Sequence, residues 1–174
     1  NTLLGGAGDD TFAFNASARL FGDFDGQSGY DTLDFSQYLT ARTITLTAFG
    51  DVDGLVGTDN TTRTPTAFTD PFNNINYLIG SSDPINSDVL IGMDRDSTWE
   101  IDGTNRYMTN PTLDFSAIEN AAGGGRGDTF TVSGAQNISL LGGAGDDTFV
   151  FNNGASITGS VGGDGGTDTL DFSR

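Results

Sequence analysis

Apolar residues in this chain fall in short runs that alternate with polar ones, and no stretch keeps the rhythm of an amphipathic helix. Thr11-Phe12-Ala13-Phe14 and Thr32-Leu33-Asp34-Phe35 each place two large apolar side chains on one face of an extended segment. Arg42–Ala48, with Ile44 and Leu46 set between threonines, is the plainest strand. Strand-like runs return at Ile75–Ile79, Asp88–Ile91, Thr98–Ile101 and Leu113–Phe115, before a shortened turn at Gly124–Val132 and the stretch Asn137–Leu141 that leads into a second copy of the opening. Phe49–Asn74, rich in Gly, Asp and Thr and broken by Pro65 and Pro71, reads as a long loop or lateral excursion. The pattern predicts an all-β chain.

The runs belong to a repeat. Residues 3–36 and 140–173 are near copies without a gap, Leu3 answering to Leu140, Asp31 to Asp168 and Ser36 to Ser173, an offset of 137 residues. Within that long period a shorter one recurs: Gly-x-x-Gly-x-Asp-Thr-(Phe/Leu) at Gly5–Phe12, Gly26–Leu33, Gly142–Phe149 and Gly163–Leu170, and one position shorter at Gly124–Phe130. Its Asp recurs after 21 residues from Asp10 to Asp31, 19 from Asp128 to Asp147 and 21 from Asp147 to Asp168. The stretch GSSDPINS before Val89 reads as the same turn widened by insertion, with Asp88 in the place of the motif Asp. A Gly/Asp turn followed by a short strand at this period predicts stacked parallel coils, a β-helix or β-solenoid. Residues 1–137 form one repeat, 138–174 begin the next, and the whole is one segment of a tandem array, with 49–74 as an excursion. Both termini fall inside motifs, as expected of a piece of a longer chain.

Composition narrows the reading. Leu, Ile, Val and Phe supply about a quarter of the chain, enough for a thin core of the kind that solenoids bury coil against coil. The net charge is −17, every acid but Glu100 and Glu119 is Asp, and all seven bases are Arg. So acidic a surface excludes nucleic acid as a partner. No apolar run is long enough for a membrane-spanning helix. Without Cys there are neither disulfides nor thiolate sites. Without His or Lys, the Arg and Asp residues form no constellation with a base and a charge neutraliser, so a polysaccharide-modifying enzyme is the weakest reading.

The motif carries hard oxygen ligands. Glycines at its first and fourth positions, such as Gly26 and Gly29 or Gly163 and Gly166, are expected to take positive φ and expose carbonyls. The sixth position, Asp31, Asp128 or Asp168, offers a carboxylate. Stacked turns of this kind could surround Ca²⁺, which accepts six to eight oxygens. Two carboxylates about 5 Å apart repel by about 3 kcal/mol at an effective dielectric near 20, so a row of them calls for cations or protons. GGAGDDTFA at Gly5–Ala13 and GGAGDDTFV at Gly142–Val150 resemble the Gly-Gly-x-Gly-x-Asp-x-apolar-x nonapeptide of the repeats-in-toxin calcium-binding β-roll proteins. That resemblance implies Asp10 and Asp147 as carboxylate ligands, with the carbonyls of Gly5, Gly6, Gly8, Gly142, Gly143 and Gly145 as partners. The chain departs from that family in carrying one motif per roughly twenty residues, and Gln27 and Asp164 replace the second Gly.

The wider pattern, including TLDFSAIENAAGGGRGDTFTV and GGDGGTDTLDFS, is similar to the tandem repeats of giant bacterial surface proteins of the adhesin and filamentous-haemagglutinin-like type. That resemblance implies an exported, extracellular structural module, partnered end to end by neighbouring repeats or subunits and rigidified by Ca²⁺. The alternative is an adhesin module for glycans or other cells, contacted through 49–74 or the face around Trp99, with Tyr107 as a second stacking ring. Arg126-Gly127-Asp128 spells an integrin-binding tripeptide but falls within a turn that carries Gly and Asp in any case. Asn15-Ala16-Ser17, Asn60-Thr61-Thr62 and Asn137-Ile138-Ser139 fit the short glycosylation pattern.

Overall fold

The computed structural model describes residues 2–16, 18–61, 67–83 and 85–173. Pro65, Pro84, and the hydroxyl residues Ser17 and Thr62 of two glycosylation patterns lie outside them. Among the described residues there is no helix: two nine-stranded sheets, A and B, face each other across one core.

The chain first alternates between the sheets, with β1 (Leu3–Ala7) and β3 (Phe24–Ser28) in A, and β2 (Thr11–Asn15) and β4 (Thr32–Gln37) in B. It then lays three consecutive strands in sheet A, β5 (Thr43–Phe49), β6 (Leu55–Asp59) and β7 (Phe72–Ile75), before β8 (Tyr77–Ile79) in B and β9 (Val89–Ile91) in A. Three more follow in sheet B: β10 (Ser97–Ile101), β11 (Asn105–Met108) and β12 (Leu113–Ser116). Alternation resumes with β13 (Asn120–Ala122) and β14 (Asp128–Val132). After β15 (Ala135–Gln136) come β16 (Ser139–Leu141) and β17 (Thr148–Phe151), and after β18 (Ser156–Ile157) come β19 (Val161–Gly162) and β20 (Thr169–Asp171). β15 and β18 pair with each other as a small separate sheet.

Sheet A runs β1-β3-β7-β6-β5-β9-β13-β16-β19, and sheet B runs β2-β4-β8-β12-β11-β10-β14-β17-β20. Position by position the two orders give nine layers, each with one strand from either sheet. The sheets are mixed, which corrects the expectation of parallel coils throughout. β5, β6 and β7 pair antiparallel, as do β10, β11 and β12, while the remaining pairs in both sheets are parallel. The stretch 49–74, expected as a loop, supplies β6 and β7. β6 alternates Leu55, Gly57 and Asp59 inward, an acid and a glycine where a strand's apolar face is expected. Gly57 leaves room for the Phe72 ring, since a Cβ there would lie 2.4 Å from Phe72 Cζ. Asp59 meets Arg42, at 3.1 Å, with both side chains wholly buried.

The alternating residues stack in register. Phe12, Leu33, Leu78 and Phe115 follow one another across sheet B, then Tyr107, Trp99, Phe130 and Phe149 continue the inner face. The Trp99 and Phe130 rings stack at 5.3 Å, and those of Phe130 and Phe149 at 5.1 Å. Trp99 and Tyr107 are fully buried, so neither offers a sugar a stacking face.

Candidate functional site

The Gly/Asp motifs form the short edge where the chain passes from sheet A to sheet B. The first glycine is needed for space, because the motif Asp folds back across its own turn. A Cβ on Gly142 would lie 2.1 Å from Asp147 Oδ2, and one on Gly26 would lie 2.3 Å from Asp31 Oδ2. In the turns that end at Asp10, Asp31, Asp147 and Asp168, positive φ falls on the second and fourth positions rather than the first and fourth, so that even Gln27 (73°) and Asp164 (64°) adopt it. The same contact corrects the length of the Asp128 turn: Gly123, not Gly124, stands over Asp128 Oδ2. That turn has the full length, with Arg126 in the fourth position.

Three of the five motif carboxylates accept a backbone hydrogen bond from the layer before them. Asp10 N–H donates to Asp31 Oδ1 at 2.9 Å, Asp128 N–H to Asp147 at 2.7 Å, and Asp147 N–H to Asp168 at 3.0 Å. Asn76 continues the row beyond Asp31, accepting its N–H at 3.0 Å, and Ser97 precedes Asp128, to which its hydroxyl donates. Both were missed in the sequence, although each is a short polar residue at a strand start, Asn76 just ahead of β8 and Ser97 the first residue of β10. Asp88 does not belong to this row. It precedes a strand of sheet A, on the opposite edge, where it accepts Arg42 N–H and donates its own to Glu119 at 2.8 Å.

The turn carbonyls are engaged in the same stacking. Gly143 O accepts Gly165 N–H at 2.8 Å, Gly124 O accepts Ala144 N–H at 3.1 Å, and Gly165 O accepts Gly145 N–H at 2.7 Å. At the other end Gly8 N–H donates to Ser28 O at 2.8 Å, and Asp9 Oδ1 accepts Tyr30 N–H at 2.9 Å. The residues expected as metal ligands, Gly5, Gly6, Gly8, Gly26, Gly29, Gly142, Gly143, Gly145, Gly163 and Gly166 with their Asp partners, are thus brought to one edge in two blocks. Asp10 and Asp31 lie in the first two layers, and Asp128, Asp147 and Asp168 in the last three.

Electrostatically this edge is under load. Burial pushes the carboxyls of Asp31, Asp128 and Asp147 above the usual range, and nearby carboxylates add to it: Asp10, Asp53 and Asp9 around Asp31, and Asp168, Asp146 and Asp164 around Asp147. Asp31 Oδ2 and Asp147 Oδ2 are buried without a hydrogen-bond donor. Orphaned carboxylate oxygens in an acidic field suit a cation in their chemistry. In arrangement the fit is partial, since among the described residues no three acidic side chains converge as a metal-holding group.

The Arg126-Gly127-Asp128 tripeptide is not presented to a partner. Asp128 is buried, with its carboxylate bound by Ser97 and by Gly124 N–H at 2.8 Å. No protein-family model, curated protein or solved structure matches this chain.

Proposed function

We propose that this chain is a structural repeat module of a large secreted bacterial surface protein or extracellular filament. Its layers follow one another as a solenoid that admits two antiparallel meanders. The observation that carries this reading is the state of the duplicated segments at the two ends. Leu3, in the first layer, is 50% exposed, while its copy Leu140 is 0% exposed beneath β13. Leu170 and Phe172, in the last layer, are 53% and 68% exposed, while their copies Leu33 and Phe35 are both at 0%. Each end leaves open the surface that its copy buries inside the same chain.

A further unit would cover both ends. An equivalent of β13 and β14 fits against β1 and β2, and an equivalent of β7 and β8 fits against β19 and β20. From β1 to β16 the repeat advances seven strands of sheet A, roughly 34 Å per 137 residues at about 4.8 Å per strand. Calcium enters this reading as the counter-charge for the row of buried carboxylates, held by Asp31 or Asp147 and the acids beside them. Binding of a cation to the folded state alone favours folding.

The test is a chain carrying residues 3–139 in two tandem copies followed by 140–173, measured by small-angle scattering and melted in EDTA and in calcium. A rigid particle longer by about 34 Å, melting higher in calcium, is the expected outcome. Two flexibly joined bodies would rule out the continuous rod, and melting indifferent to calcium would remove the ion from it.

A further inference from the structure

The meander in sheet B builds a feature on the outer face that the plain layers lack. Tyr77, on β8, stands beside Asp114, on β12, in parallel register, and Tyr30 reaches over both from the turn ahead of β4. The Tyr30 hydroxyl donates to Asp114 Oδ2, and the Tyr77 hydroxyl pairs with Ser116 Oγ at 2.9 Å, so both rings are held in place. Their centroids lie 6.4 Å apart at 43°. Rings at that separation are in contact with each other, so they form one angled platform and leave no room for a group between them. A cleft of about 330 Å³ opens over the platform, walled by Thr104, Asn105 and Ser116. That volume is at the lower end of small-ligand sites.

The chemistry of the walls selects the ligand. Asp114 has no ion-pair partner among the described residues, because Arg106, next along the strand row, is held by Glu100 at 2.7 Å and Asp102 at 2.9 Å. Asn105 uses its side-chain oxygen on Gly103 N–H at 3.2 Å, which leaves its amide hydrogens as donors. A flat apolar face bordered by a carboxylate, an amide and hydroxyls matches a sugar ring, which has an apolar face and a rim of hydroxyls that both donate and accept. Asp114 and the net charge of −17 repel an anion. A quaternary ammonium is held best inside a cage of ring faces, whereas the two touching rings form a single platform.

The repeat supplies an internal control. Residues 26–36 and 163–173 differ at three positions only, Gln27/Asp164, Ser28/Gly165 and Tyr30/Thr167. The turn therefore folds with Thr where Tyr30 stands, and the fold does not call for this 44%-exposed ring.

We propose that Tyr30, Tyr77, Asp114 and Asn105 form a binding site for a neutral saccharide on the outer face of sheet B. Isothermal titration of the whole chain with cellohexaose, chitohexaose, xylohexaose and mannohexaose, and with oligogalacturonate and choline as contrasts, tests it. At least one neutral oligosaccharide is expected to bind, and Tyr30→Thr should weaken it roughly tenfold at an unchanged melting temperature. Absence of binding by all four at millimolar concentration would overturn the proposal. So would tighter binding of oligogalacturonate or choline, or an affinity indifferent to Tyr30→Thr.

Discussion

In the outer layers, β1 to β4 and β13 onward, each strand of a sheet lies beside the next one the chain contributes to that sheet. In the middle, the chain passes over two positions to lay down β5 and fills them backwards with β6 and β7, and sheet B repeats the manoeuvre with β10, β11 and β12. The two regions are held differently. Outer layers use one backbone-to-carboxylate bond per turn and accumulate like charges along the edge. The middle replaces the row with neutral Asn76 and Ser97 and adds a buried ion pair, Arg42 with Asp59. A repeat that only stacks can thus be built from turns, whereas a change of strand direction calls for specific partners far apart in sequence.

The largest effect should come from breaking the central pair. Arg42 stacks on the Tyr38 ring at 4.4 Å and holds Asp59 at 3.1 Å. Asp59 in turn accepts Ala67 N–H at 2.8 Å and Thr61 N–H at 3.1 Å. Arg42→Ala leaves this carboxylate buried without its cation and is expected to destabilise the chain by about 3–5 kcal/mol, measured by urea unfolding. A loss below about 1 kcal/mol, ordinary for a surface pair, would mean that the middle is not locked this way.

A smaller loss is expected in the outer layers. Gly142→Ala drives a methyl into the Asp147 carboxylate, and about 1–3 kcal/mol is expected for such overpacking. At Gly123, Gly142 and Gly163 a Cβ would lie 2.2, 2.1 and 2.1 Å from the motif carboxylate, so alanine should cost similar amounts at all three. Unequal losses in the same unfolding assay would show that the layers are not equivalent.

The smallest effect is the response to pH without calcium. Asp31, Asp128 and Asp147 bind a proton more tightly folded than unfolded. Their contribution is therefore fully present below the ordinary carboxylate value of 3.8 and is lost as pH rises through the raised values. Asp83 runs the other way. Hydrogen bonds from Asn86 and from the Ile85 N–H lower its pKa, so what it contributes is present above 3.8 and lost on further acidification. Melting temperature should then rise as pH falls from neutral toward the ordinary carboxylate value and turn over in stronger acid, and Asp147→Asn should flatten the rise. A steady fall from neutral pH would contradict a strained carboxylate row.

The sequence made the outer layers legible because there the motif spacing and the register coincide: Asp10 to Asp31 is one layer, as is Asp147 to Asp168. It was silent about the middle because the signals there are composite. Leu55–Asp59 looks like a loop until Arg42, 17 residues earlier, is seen to neutralise Asp59. Trp99, between Thr98 and Glu100, suggests an exposed platform, but alternation alone does not say which face of a strand is inward, and the register with Phe130 places it in the core. The aromatic pair on the outer face, Tyr30 and Tyr77, lies 47 residues apart in sequence and meets only because β4 and β8 are neighbours.

The backward filling of the middle also sets the order in which the molecule can be assembled. A chain emerging from its N-terminus could add the first two layers as they appear, but β5 arrives before the strands that join it to them. It has no neighbour until β6 returns alongside, and sheet A closes only when β7 reaches β3. Sheet B then waits in the same way for β12 to reach β8. Completion of the centre is therefore tied to contacts distant in sequence, the slow kind to form, while the plain layers at either end zip up one after another. Growth of the stack is fast at its ends and deliberate at its waist.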